Sequence, residues 1–84
     1  EVVTPTKVGC FENGECFIVL QAPIVQTACA DKSQIRWLTS AAASEPLFKT
    51  ALGAFLAGKK LVVNPSGACL ASGFPRPMYL YVFN

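Results

Sequence analysis

The chain contains no histidine, and only 14% of its residues are charged. The first absence removes the commonest general base and a frequent zinc ligand. No serine sits in a recognisable nucleophile motif and no second acid accompanies Asp31, so an enzyme is not expected. Seven basic residues against five acidic ones leave a formal net charge of +2, with the basic residues scattered apart from Lys59 and Lys60. Such a distribution lacks the dense cationic stripe of a nucleic-acid footprint, and no nucleic-acid partner is expected. Long apolar runs are missing too. The best candidate, residues 51–58, is broken by Gly53 and falls well short of the roughly 20 residues a membrane-spanning helix needs. Scarce charge combined with 52% hydrophobic residues excludes disorder and leaves apolar surface for a partner, a further copy of the chain included.

What is present is a set of four cysteines, Cys10, Cys16, Cys29 and Cys69, in 84 residues. An even, small set in a short chain implies two disulfides and an oxidising compartment, secreted or periplasmic. A zinc site would need closely spaced Cys/His pairs, and only Cys10 and Cys16 lie close in sequence; neither a metal nor a cofactor is expected. The length allows one domain, residues 1–84, whose small core benefits from covalent staples contributing roughly 2–4 kcal/mol each. A chain beginning at Glu1 fits a mature protein whose signal peptide has been removed.

Residues 2–20 predict two strands around Glu12, Asn13 and Gly14, because Asn-Gly supplies the positive φ a tight hairpin requires. A loop of residues 12–14 places Phe11 opposite Glu15 and Cys10 opposite Cys16, making a bridge between that pair plausible. Pro5 marks the first strand as an edge or as broken near its start. Either residues 24–30 or residues 35–39 return to pair with the hairpin, the second having the branched and aromatic content of a strand. A helix is predicted over about residues 45–57, with Ser44 as N-cap, Pro46 in the first turn and Gly58 as left-handed cap. Its apolar face is expected to comprise Leu47, Phe48, Ala51, Leu52, Phe55 and Leu56, leaving Lys49, Thr50, Gly53 and Ala54 outside. A strand follows at Leu61, Val62 and Val63, then a turn at residues 64–67. The last strand, residues 78–83, is apolar on both faces and is expected to be central or to lie against another subunit.

This order, a hairpin, one or two strands, one helix and two more strands, suits a mainly β, five-stranded OB-like barrel. The runs IRWLTS, SEPLFKTALGAFLAGKKLVV, NPSGACL and MYLYVF resemble a group of small secreted bacterial proteins in which a strand, a helix ending in Gly-Lys-Lys, a strand and a Gly-x-Cys element follow one another. With ECFIVL preceding ACAD, the layout is also similar to the B subunits of bacterial toxins of the pertussis and subtilase kind, OB-fold rings of five that bind host glycans. The toxin resemblance implies a Cys16–Cys29 bridge, whereas the broader group implies Cys29–Cys69. Because the Asn-Gly hairpin independently aligns Cys10 with Cys16, the set Cys10–Cys16 and Cys29–Cys69 is preferred. The resemblance further implies a homo-oligomer, a host glycan as ligand and room for a catalytic partner subunit.

Ser33, Gln34, Arg36 and Trp37 are the candidate ligand-binding residues, since an aromatic face beside hydrogen-bonding groups is what a sugar cleft requires. Packing in a core or a subunit interface competes for Trp37. Asp31 beside Lys32 suits a solvated turn, and Glu12 and Glu15 suit a charged hairpin tip that keeps an edge soluble. Tyr79 and Tyr81 share one face of the last strand by period-two spacing. Lys59 and Lys60 complement the negative end of the helix, or bind an anionic polymer. The expected function is therefore a secreted glycan-binding module using loops around residues 33–37. The alternative is an accessory or inhibitor domain that offers the hairpin, residues 10–16, to a protein.

Overall fold

Alternation in Glu15–Leu20 sets one side of the molecule, because Cys16, Ile18 and Leu20 are buried while the residues between them face outward. The computed structural model describes residues 1–84. It contains β1 (Val2–Val3), β2 (Pro5–Cys10), β3 (Glu15–Leu20), β4 (Gln34–Leu38), α1 (Ser44–Ala57), β5 (Lys60–Cys69) and β6 (Pro75–Phe83). The predicted hairpin forms in the expected register. Cys10 faces Cys16, the Phe11 N–H donates to the Glu15 carbonyl at 2.7 Å, and Gly14 takes φ +97°. Both preferred disulfides, Cys10–Cys16 and Cys29–Cys69, are formed.

The strands make two antiparallel three-stranded sheets, ordered β1-β5-β6 and β2-β3-β4, rather than the single closed five-stranded barrel expected. The first strand breaks at Thr4, as Pro5 foretold, and its two pieces serve different sheets. On the opposite side β4 lies beside β6 without a ladder. Pro75 and Pro77 lack N–H donors, and β6 is an edge strand, so of the two placements its apolar sequence implied, central or against another subunit, the central one does not hold. Of the two candidates for the third long strand, residues 35–39 supply it, with 35–38 in β4 and Thr39 in the turn that follows; residues 24–30 form no strand, though Ile24 and Cys29 are buried. The expected turn at residues 64–67 is likewise absent. There β5 continues through irregular pairing, Pro65 opposite Pro77, and the reversal comes at residues 70–74, where the Leu70 N–H donates to the Phe74 carbonyl.

The helix starts at Ser44 with Ala43 as N-cap, so Ser44 is its first residue and not its cap. Gly58 ends it in the left-handed conformation at φ +67°. Its buried face also differs from expectation. Ala51 and Ala54 are the buried residues, with Leu47 and Phe48 packed beside them, while Phe55 and Leu56 are exposed. Two alanines let the helix backbone approach the sheets closely, a geometry bulkier side chains would prevent. Ile18, Ile35, Trp37, Leu61 and Val63 complete the centre of the core, and every buried side chain is apolar.

Candidate functional site

The alternation of β4 decides the fate of the predicted ligand residues. Ile35 and Trp37 point inward, Gln34 and Arg36 outward, and Ser33 precedes the strand. Trp37 is 1% exposed and its indole Nε1 donates to Ser44 Oγ at 3.1 Å, so it is a core residue whose single donor is occupied. Ser33 is engaged locally, its hydroxyl and its backbone N–H both donating to Asp31 Oδ1. These bonds, with a smaller contribution from Arg36, hold the Asp31 carboxyl below the ordinary carboxylate value. The four residues therefore do not converge on one cleft.

Arg36 instead organises a polar and aromatic cluster on the outer face of β2-β3-β4. Its guanidinium carbon lies 4.0 Å from the Phe74 ring centroid and 5.0 Å from that of Phe11, which in turn stacks on Phe17 at 4.8 Å. Nη1 pairs with Glu15 at 3.2 Å and Nε donates to Gln34 Oε1 at 3.0 Å. Ser72 closes the set by donating to the same Glu15 oxygen. Gly9 lies under the Phe17 ring, where a Cβ would stand 3.0 Å from Cζ. The cluster ties the hairpin tip, β4 and the loop before β6 together across the side where no ladder runs, and it leaves no buried side-chain polar atom without a partner.

A different face is unpartnered. In β1-β5-β6, Val62 pairs with Tyr81 and Val2, and Asn64 pairs with Tyr79; these residues share the side opposite Val3, Leu61 and Val63, which are buried. Tyr79 and Tyr81 are 46% and 53% exposed, with rings stacked at 6.1 Å and 16° apart. Lys60 pairs with Phe83 on the same side. An outward sheet face ordinarily carries polar residues; this one carries aromatic and branched ones, with Asn64 and Lys60 at its margins. Period-two spacing revealed the tyrosine pair in the sequence. The contribution of Asn64 was hidden because Asn-Pro-Ser-Gly has the composition of a turn.

The remaining concavity is a recess of about 270 Å³ lined by Glu1, Val2, Thr4, Gln21 and Pro23 among others, in which the Glu1 side chain is fixed at one side. Its carboxylate accepts from the Val25 and Gln26 N–H groups. Glu45 and Lys49 form an exposed pair on the helix, which lowers the carboxyl's pKa and raises the ammonium's. No family model, no curated protein and no solved structure matches the chain.

Proposed function

We propose that this protein is a secreted or periplasmic binding module that recognises extracellular glycan on the outer face of β1-β5-β6. The observation that carries the reading is the exposed, stacked pair Tyr79 and Tyr81 at alternate positions of one strand, with Asn64 opposite Tyr79. Aromatic rings offer the apolar faces of a sugar a surface at little conformational cost, and neighbouring hydroxyl and amide groups take its hydroxyls. Two disulfides fit an oxidising compartment.

Strand order supports an OB-like plan. Taken as one bent strand, β1 and β2 reduce the count to five, with the helix between the third and fourth, β1 beside β5 and β4 beside β6. Met78 and Leu56, both strongly exposed, supply apolar surface for homo-oligomer formation. Mass measurement in solution tests that part, and a monomer at high concentration removes it. The glycan reading is tested by screening the disulfide-intact protein on a glycan array beside the Tyr79→Ala/Tyr81→Ala variant. Binding that the double substitution abolishes supports the reading; a blank array, or binding that survives it, overturns it.

A further inference from the structure

We infer that the saccharide taken by this face is anionic, with Lys60 receiving its carboxylate or sulfate while the ring rests against Tyr81; this rests on the glycan reading above. Val62 faces Tyr81 and Lys60 faces Phe83, so Lys60 is the diagonal cross-strand neighbour of Tyr81 on the same side of the sheet. Diagonal neighbours lie within reach of a long side chain. The ammonium is unpaired, since the protein's two ion pairs are Arg36–Glu15 and Lys49–Glu45.

The acids of the chain are placed elsewhere. Glu15 serves Arg36, Glu45 serves Lys49, and the Glu1 and Asp31 carboxylates accept from Val25, Gln26 and Ser33. Glu12 sits in the hairpin tip of the other sheet. No acidic side chain shares the aromatic face with Lys60, and its ammonium makes no ion pair within the protein. A pyranose stacked on Tyr81 with an acidic group at its edge satisfies both features at once, whereas a neutral sugar uses only the ring. Lys59, next in sequence, donates to Asn84 Oδ1 at 3.0 Å and provides a matched control.

The experiment is an NMR titration of the disulfide-intact protein with trigalacturonate, with its fully methyl-esterified neutral form and with a sulfated heparin hexasaccharide. Trigalacturonate or the sulfated sugar should bind more tightly than the ester, shifting the Tyr79 and Tyr81 ring signals, and the better of the two assigns the anion. Lys60→Gln should weaken anion binding by roughly fivefold at low salt and leave the ester unaffected, as expected for one exposed charge pair. Lys59→Gln should have no such effect. Equal binding of ester and acid, or equal loss with both lysine variants, overturns the anion assignment while leaving the glycan reading standing. Silence of all three sugars against wild type defeats this inference, and silence across the glycan array as well defeats the glycan reading with it.

Discussion

The hydrogen bond from Trp37 Nε1 to Ser44 Oγ makes a quantitative prediction. Two roles for Ser44 can be separated. As an N-cap its loss would cost about 1 kcal/mol whatever residue occupies position 37. As the acceptor for a buried indole its loss leaves an orphaned donor, which costs about 1–3 kcal/mol, and only while the indole is present. Since Ser44 is the first helical residue and makes no capping bond, the second role applies. Ser44→Ala should therefore destabilise the wild type by about 1–2 kcal/mol, lowering the melting temperature by roughly 4–8 °C per kcal/mol for a domain of this size. In a Trp37→Phe background, which is itself destabilised by a lost fit at a site 1% exposed, the same change should be neutral within about 0.5 kcal/mol, because alanine is the better helix former. The assay is urea unfolding of the four proteins by far-UV circular dichroism with disulfides intact, giving a coupling energy of about 1–2 kcal/mol. An equal cost of Ser44→Ala in both backgrounds would refute the assignment and restore the capping role.

The Cys29–Cys69 bridge closes a separation of 40 residues and Cys10–Cys16 one of 6, so chain entropy makes loss of the first costlier by about 1.7 kcal/mol. Paired Cys→Ser variants compared by thermal melting check this, and a Cys10/Cys16 variant that is the less stable contradicts it. Asp31 titrates below its ordinary value in the folded state, so its contribution to stability is present above about pH 4 and is lost as pH falls through the folded pKa. The stability difference between wild type and Asp31→Asn should accordingly shrink as the pH falls below about 4 in urea titrations; a difference that grows on acidification has the wrong sign. Arg36→Lys keeps the charge beside Glu15 but loses the flat guanidinium between Phe11 and Phe74, and should cost about 1 kcal/mol in urea unfolding. Full stability of that variant would show that the stacking contributes nothing. Gly9→Ala should displace the Phe17 ring, which shows as altered Phe11 and Phe17 ring shifts with stability held within about 1 kcal/mol.

Local signals were legible where they were stereochemical. Asn13-Gly14 fixed the hairpin register and through it the Cys10–Cys16 pair, Pro5 broke the first strand, and Gly58 ended the helix, because each acts through the dihedral angles of a few residues. Errors came where packing overrode composition. Asn64, Pro65, Ser66 and Gly67 have turn chemistry, yet pairing with β6 carries the chain on as an irregular strand and delays the reversal to residues 70–74. Apolar spacing put Leu56 on the buried face of the helix; close approach to the sheets selected Ala51 and Ala54 and rotated Leu56 out.

The candidate site was half legible for the same reason. Period two in β4 separates Trp37 from Arg36 as firmly as it unites Tyr79 with Tyr81 in β6, so a contiguous cluster such as residues 33–37 cannot form one cleft once it lies in a strand with one buried face. Residues that meet on such a face come from neighbouring strands, and their identity depends on register. Tyr81 meets Val62 within the regular ladder, and Tyr79 meets Asn64 because β5 continues past Val63 in line with β6. A one-residue slip between these strands would turn both tyrosines toward the core and bring the buried Leu80 to the surface. Leu61 and Val63, fully buried beneath the sheet, are what fix the register, so the aromatic face depends on the core packing on its other side.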